Sequence, residues 1–194
     1  MGATPAFVTV KIRDTAGYSW YTWHQSFAST TTSYFGLNGT EAVSTGVYTM
    51  WPSGVSSTTA SFNVGYSTIA NTDNVAYIFA EKEGFSSFGS YTGNGSTDGP
   101  FVYTGFRPAW LLTKRTDSTS SWYIWDTERD TYNPVDTYLV ANVGQTEQSL
   151  STGYFDFLSN GFKLRDTSTE INASGGTYVY MAFAENPFKY SNAR

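Results

Sequence analysis

The sequence predicts an all-β protein made of two tandem, internally duplicated antiparallel β-sandwich units, jelly-roll-like, packed against each other. The first observation is compositional: aromatic residues reach 18% and charged residues only 14%, where about 25% charged is usual. The second is that no helical periodicity extends over ten residues, whereas short β-rich runs alternate with turn residues. The third is an internal repeat.

The repeat is visible as matching landmarks in the same order in both halves. Each half opens on proline, at Pro5 and at Pro108, continues through a Trp-Tyr-x-Trp strand, and closes on Phe-Ala-Glu. The middle of each half aligns poorly. A repeated unit of this kind indicates duplicated architecture, so we assign one sandwich to residues 1–90 and the other to 91–194, which includes an ordered crossover at 91–108.

The elements follow from β-rich runs bounded by turn residues. The first half predicts strands at 6–13, 18–25, 33–38, 46–51, 60–66 and 75–82. The second half predicts strands at 101–106, 109–115, 121–126, 137–142, 153–158, 161–166 and 177–185. Ser159-Asn160-Gly161 predicts a tight hairpin, and 126–134, which ends at a proline, predicts a helical turn. Neither face of 75–82 or 177–185 is polar, so both are expected to be central strands covered on both sides.

Composition limits the chemistry and the partners. The chain has no cysteine and one histidine, which excludes thiolate sites and histidine clusters. We expect no cofactor and no bound metal; the alternative is a calcium loop at Asn94 to Asp98 or at Asp156, against which no dense pattern of aspartates is present. No apolar run reaches membrane-spanning length and no signal peptide is recognisable, so membrane insertion is not expected. The net charge of −5 argues against a nucleic-acid partner.

Catalytic candidates are few. His24 would need a nucleophile and an orienting carboxylate in space, and the sequence shows no nucleophile elbow. Carboxylate pairs that could serve a glycosidase are Glu81 with Glu83, and Asp126 with Glu128 or Asp130. Asp126 and Arg129 can equally hold their loop together by a charge-assisted contact. We therefore expect a protein without enzymatic activity.

The aromatic residues are the stronger ligand candidates. In a strand, Trp23 and Trp125 point opposite to their neighbours, and Trp51 precedes Pro52 in a Ser-rich stretch where a loop tip is expected. An exposed indole can stack on a sugar ring or anchor a partner. We assign a ligand-binding role to Trp23, Trp51, Trp125, Asp126 and Arg129. The alternative is that both faces of these strands are buried.

Residues 84–110, GFSSFGSYTGNGSTDGPFVYTGFRPAW, together with IWDTERDTYNPVDTYL, DFLSNGFKL and YVYMAFAENPFKYSNAR, resemble a repeat region of tail-fibre-like virion proteins of marine bacteriophages. The resemblance implies concanavalin-like or jelly-roll sandwiches in a homo-oligomer, with a trimer as one form. It implies a virion surface protein that is made in the host cytoplasm without a signal peptide and is extracellular after lysis. The resemblance implies no catalytic residue in this sequence.

Three functions follow as expectations. The leading one is a distal tail-fibre, lectin-like receptor-binding module that contacts a host cell-surface glycan and other virion proteins. The second is a structural decoration or assembly protein of the virion. The third is a polysaccharide-degrading enzyme, which would depend on carboxylates such as Glu81 or Asp126.

Overall fold

A computed structural model describes residues 3–45, 49–56, 73–149 and 153–187. Within these residues the protein is nearly all β, with antiparallel sheets and one helix of four residues, which confirms the all-β prediction. The strands of the first half are β1 (Pro5–Ile12), β2 (Tyr21–His24), β3 (Ser33–Gly36), β4 (Ser44–Thr45), β5 (Asn74–Ala80) and β6 (Ser86–Thr92). The later elements are β7 (Phe101–Tyr103), β8 (Pro108–Arg115), β9 (Trp122–Asp126), β10 (Thr137–Val140), β11 (Gln148–Ser149), β12 (Phe155–Leu158), β13 (Gly161–Leu164), α1 (Thr169–Asn172) and β14 (Thr177–Ala184).

The strands form three sheets. The first has the order β4-β3-β2-β1-β5, the second β11-β10-β9-β8-β14-β6, and the third β12-β13-β7. Side chains alternate along β14, so Tyr178 and Tyr180 face one way while Val179 and Met181 face the other. The first pair packs with the buried phenylalanines of the third sheet. The second pair packs with the first sheet, so the second sheet lies between the other two and is covered on both faces.

The first and second sheets share strand order and register. Trp23 pairs with Val8 in the first sheet as Trp125 pairs with Leu111 in the second. Both sheets also contain a register shift next to the opening proline of the half. Equivalent faces of the two sheets meet: the ring centroids of Phe79 and Phe183, both from the Phe-Ala-Glu landmark, lie 6.1 Å apart.

Several finer predictions can be compared with the structure. The segment 126–134 begins with one hydrogen-bonded turn, in which the Asp130 N–H donates to the Asp126 carbonyl oxygen at 3.3 Å, as the sequence suggested. The α-helix of the described residues lies elsewhere, at Thr169–Asn172, where Ser168 accepts a hydrogen bond from the Glu170 N–H and caps it. No strand was predicted at β6, yet it is a full strand that spans the assigned boundary between residues 90 and 91. β14 is central as expected, whereas β5 pairs only with β1 among the described residues.

Other predictions are confirmed or fall outside the structure. The hairpin at Ser159-Asn160-Gly161 is present, with Leu158 paired to Gly161. Residues 49–51 form no strand, and the rest of the predicted strand 46–51, like the whole of 60–66, lies outside the described residues. Among the described residues, no helix is long and apolar enough to cross a membrane.

Candidate functional site

The three tryptophans predicted to bind a ligand lie in the core. Trp51 and Trp125 have no exposed surface and Trp23 retains 3%. Trp51 also donates a hydrogen bond from Nε1 to the carbonyl oxygen of Ser33 at 3.1 Å, so it anchors β3 instead of forming a loop tip. A buried indole offers no ring face to a sugar. The prediction of tryptophan platforms is therefore wrong, and both faces of these strands are covered.

Asp126 and Arg129 are in contact with each other at the end of β9. One carboxylate oxygen of Asp126 accepts hydrogen bonds from the N–H groups of Glu128 and Arg129, at 3.1 and 3.0 Å. The other pairs with the Arg129 guanidinium, whose Nε also donates to Glu147 at 2.7 Å. The loop-holding contact that the sequence suggested is present; a ligand role for this pair stays a prediction.

His24 occupies the position in the first half that Asp126 occupies in the second. Its Nδ1 accepts from the Ser26 N–H at 3.1 Å, and its Nε2 lies 3.0 Å from the carbonyl oxygen of Tyr180. Nε2 must therefore carry the proton. Burial lowers the pKa of His24 to about 4, only partly offset by the bond to Tyr180. His24 is thus a neutral, buried hydrogen-bonding residue.

The surface feature best suited to a ligand is a cleft of about 480 Å³ at the end of the third sheet. Four separate stretches of the chain meet there: the turn after β5, the β7–β8 connection, the β12–β13 hairpin and the end of β14. We call it the Tyr103 cleft. It is lined by Glu83, Gly84, Tyr103, Gly105, Phe106, Arg107, Ser159, Glu185 and Asn186.

The local sequence explains why Tyr103 projects into this cleft. β7 is an edge strand, and Val102 points inward while Tyr103 and Phe101 point out with 67% and 45% of their surface exposed. Gly105 follows with a φ of +84°, a conformation that favours glycine. The N–H groups of Thr104 and Gly105 both donate to the carbonyl oxygen of Asn160, at 3.0 and 3.2 Å. These bonds tie the Tyr103 strand end to the neighbouring hairpin.

The Tyr103 cleft contains an ion pair between Arg107 and Glu185. Nη1 of Arg107 lies 2.8 Å from Oε1 of Glu185, with 27% and 38% of the two side chains exposed. The backbone supports the pair, because the Glu185 N–H donates to the Arg107 carbonyl oxygen at 2.9 Å. A half-exposed pair of this kind keeps donor and acceptor capacity for a polar ligand.

The chemistry on offer is stacking and hydrogen bonding. An exposed phenol ring lies beside a guanidinium, two carboxylates, a hydroxyl and an amide, the combination that binds polar ring-shaped ligands. Glu83 shares the cleft with Glu185, whereas Glu81 is not among the lining residues and accepts a hydrogen bond from Gln25 at 3.2 Å.

Sequence reasoning missed Tyr103 as a site residue. Tyr103 lies in the predicted strand 101–106, and the ligand-binding role was assigned to tryptophans instead. The local pattern was the available signal. Phe101 and Tyr103 lie on one face of a three-residue strand and Val102 on the other, and a glycine turn follows at Gly105. Only one of these two faces can point into the core.

The fold and the cleft define a class: an all-β, three-layered protein with an aromatic surface cleft. The chain belongs to the family described as a domain of unknown function, DUF7483, whose model matches residues 1–187. No curated protein matches the chain significantly, and neither does any solved structure.

Proposed function

We propose that the protein is a non-enzymatic binding module that holds a cell-surface glycan in the Tyr103 cleft. The observation that carries the proposal is Tyr103, an aromatic ring with 67% of its surface exposed in a cleft that is also lined by the polar side chains of Glu83, Arg107, Ser159, Glu185 and Asn186. Large aromatic residues usually bury their rings, so an exposed ring beside convergent polar groups marks a binding site.

The physical fit to a sugar is specific. A pyranose has an apolar face of C–H groups, which stacks on the phenol ring, and a rim of hydroxyls, which need donors and acceptors in one plane. Arg107, Glu185, Ser159 and Asn186 supply both kinds of group around the ring. The low charge of the chain is consistent with a neutral, hydroxylated ligand rather than a polyanion.

We also propose that the chain arose by duplication of a jelly-roll-like sandwich module and serves on a phage virion as the distal part of a tail fibre. Common strand order and register in the first two sheets support the duplication. So does a conserved detail of the two halves: Trp20 and Trp122 each donate a backbone N–H to an asparagine side chain, Asn38 and Asn142, at 2.8 Å. The setting on a virion is supported by the sequence resemblance alone.

A structural virion role is the second candidate, and the burial of the tryptophans favours it. Trp23, Trp51 and Trp125 fill the cores, so most of the aromatic excess stabilises the fold. A decoration protein needs a durable fold and contacts with its neighbours but no ligand cleft.

A binding experiment separates the two candidates. The full chain is labelled and applied to a printed array of bacterial surface polysaccharides, and the signal is compared with that of Tyr103→Ala and of Tyr132→Ala. Tyr132 is 84% exposed and lies outside the cleft, so it is the matched control. Loss of a stacking contact worth about 1–2 kcal/mol weakens binding by about tenfold in Tyr103→Ala.

Each outcome decides between the candidates. Binding that falls in Tyr103→Ala and persists in Tyr132→Ala supports the glycan site. Binding that is equal in all three proteins removes the site from the Tyr103 cleft. The absence of binding to any polysaccharide, in a protein that still enters virions, favours the structural role, and release of sugar would instead establish an enzyme.

A further inference from the structure

The exposed aromatic surface of the protein extends beyond the Tyr103 cleft. Phe101 lies two positions before Tyr103 on β7, so both side chains point to the outer face of the third sheet, about 7 Å apart along the strand. Phe101 keeps 45% of its surface exposed, although it does not line the cleft. Val102, between them, points inward and is buried. The outer face of β7 therefore carries two exposed aromatic rings.

The position of the Phe101 ring is set by a glycine on the neighbouring strand. Gly161 of β13 is the register partner of Tyr103. A Cβ at Gly161 would lie 2.9 and 3.0 Å from Cζ and Cε2 of Phe101, so the ring occupies the space that a side chain at residue 161 would fill. An aromatic ring beside a strand glycine stabilises a sheet. Because 45% of Phe101 is still exposed, this contact leaves part of the ring open to solvent.

Polar groups flank the Phe101 ring on the same face. Lys163 is the register partner of Phe101 on β13. Its Nζ donates to the Gly99 carbonyl oxygen at 2.9 Å and pairs with Oδ1 of Asp98 at 2.7 Å. An ammonium group carries three N–H donors, and 85% of the Asp98 side chain is exposed, so the pair keeps a donor and an acceptor for a ligand. As in the Tyr103 cleft, an ion pair thus lies next to an exposed ring.

The charges on this face are balanced. Lys163 is matched by Asp98, and Nε of Arg165 donates to the Asp156 carboxylate at 2.6 Å. Asp156 is the register partner of Lys163, which places both on the same face of the sheet. A surface with matched charges has no strong field that attracts a polyanion or a polycation. The face therefore suits an uncharged ligand.

The arrangement of rings and ion pairs favours a sugar chain over a protein partner. The core of a protein–protein interface is usually depleted of charged residues, whereas here an ion pair lies beside each exposed ring. Consecutive sugars of a polysaccharide repeat an apolar face of C–H groups and a rim of hydroxyls. That repeat matches a surface on which an aromatic ring and a polar pair occur twice.

We propose that the glycan site continues from the Tyr103 cleft along β7 and takes a linear oligosaccharide, with one sugar ring on Tyr103 and another on Phe101. Hydroxyl groups of the second sugar are hydrogen-bonded to Lys163 and Asp98. This inference rests on the proposed function, because it extends the same site. A single pyranose is too small to cover two side chains about 7 Å apart along the strand. Once one sugar is bound, the second contact is intramolecular, so a chain binds more tightly than a single sugar.

The length of the ligand tests the second subsite. Polysaccharides that bind the native protein on the printed array are hydrolysed to fragments of one, two and six sugars, and isothermal titration calorimetry measures their binding to the full chain. Phe101→Leu removes the aromatic ring but keeps an apolar side chain beside Gly161, and Phe101→Tyr keeps a ring. We expect Phe101→Leu to weaken binding of the six-sugar fragment by about tenfold and of the single sugar by less than about twofold. Phe101→Tyr and the exposed control Tyr132→Ala are expected to bind like the native protein.

The outcomes separate the second subsite from the glycan site itself, with far-UV circular dichroism confirming that each variant folds. Weaker binding by Tyr103→Ala, with native binding by Phe101→Leu at every fragment length, keeps the site in the Tyr103 cleft and overturns the second subsite. Equal affinity of the native protein for all fragments, or an equal loss in Phe101→Leu for all of them, also overturns it. If no polysaccharide binds, or if neither variant weakens binding, the proposed function fails as well. Self-association of the native protein in sedimentation that Phe101→Leu abolishes would assign this ring to a contact between copies and overturn its role in sugar binding.

Discussion

The Nε2–H group of His24 donates to the carbonyl oxygen of Tyr180 at 3.0 Å, so the single histidine of the chain links the first sheet to the second. Nδ1 is occupied by the Ser26 N–H, and the ring is surrounded by Phe7, Phe27 and Phe88. A second proton on this ring would displace a hydrogen bond in an apolar site. This is why burial lowers the pKa of His24 from 6.5 to about 4.

The first prediction is a loss of stability on acidification. Between pH 6.5 and about 4 the unfolded chain binds a proton at His24 that the folded protein does not bind. The free energy of unfolding therefore falls as the pH is lowered through this window, by up to about 3 kcal/mol from this residue. The measurement is urea denaturation at pH 7.5 and at pH 4.5.

The control is His24→Gln, which removes the titrating ring. The carboxylates titrate in both proteins, so they cancel when the two pH dependences are subtracted. We expect the variant to be less stable at pH 7.5 but to lose about 2–3 kcal/mol less than the native protein on acidification. Identical pH dependence of the two proteins would mean that folding does not change the pKa of His24, which would contradict its burial as a neutral ring.

The second prediction concerns the paired asparagines. Asn142 accepts a hydrogen bond from the Trp122 N–H, and Asn38 accepts one from the Trp20 N–H, both at 2.8 Å. Asn142 is half-buried and Asn38 exposed, so water replaces the lost acceptor more easily at Asn38. We expect Asn142→Ala to cost about 1–2 kcal/mol and Asn38→Ala less than about 1 kcal/mol.

Thermal or urea unfolding of both variants measures this difference. Asn142→Asp retains an acceptor oxygen at the same place and is the matched control, with a smaller expected cost than alanine. If Asn142→Ala and Asn142→Asp destabilise the protein equally, the acceptor is not what matters at this position.

The third prediction tests the close approach of β6 to the segment after α1. A Cβ at Gly93 would lie 2.4 Å from the carbonyl oxygen of Ala173 and 2.8 Å from the carbonyl carbon of Asn172. Both are backbone atoms and cannot rotate away, so Gly93→Ala is expected to cost about 1–3 kcal/mol. Gly144→Ala meets no atom within 4 Å and should change stability by less than about 0.5 kcal/mol. Equal unfolding curves for the two variants would contradict the packing.

The sequence was sufficient for the strands that carry landmarks. The hydrophobic alternation and bounding turns of β8, β9, β13 and β14 are local properties, and the observed bounds lie within a few residues of the predicted ones. β6 was missed because Ser86 to Thr92 is rich in glycine and serine, a composition typical of linkers. Its strand form depends on pairing with β14, almost a hundred residues later, which no local pattern reports.

The site was harder to predict than the fold for a related reason. The exposure of a strand side chain depends on whether another sheet packs on its face, and a single sequence does not report how many sheets stack. Trp125 was expected at a surface, but the third sheet covers it with Phe155, whose ring lies 4.7 Å away. Tyr103 belongs to that covering sheet, and its outer face has no further layer among the described residues. The third sheet therefore buries Trp125, the predicted stacking residue, and carries Tyr103 as an exposed aromatic residue instead.

The fourth prediction decides what Asp126 and Arg129 do. If the pair only holds its loop, Asp126→Ala removes two backbone hydrogen bonds and an ion pair and costs about 1–2 kcal/mol, as loss of a helix cap does. Asp126→Asn keeps an acceptor for the Glu128 and Arg129 N–H groups and should cost about half as much. Glu147→Ala removes a partner that is 54% exposed and should have little effect.

Urea unfolding of these variants is combined with binding to the same polysaccharide array. If the pair only holds the loop, the native protein is the most stable, Asp126→Asn is less stable and Asp126→Ala is the least stable. Binding by the folded variants is then unchanged, because the Tyr103 cleft does not include residue 126. If Asp126→Asn instead loses binding while its unfolding curve matches the native one, the carboxylate contacts a ligand. That outcome would place the glycan site at the end of β9, where the Asp126 carboxylate would accept a hydrogen bond from a sugar hydroxyl in place of Arg129.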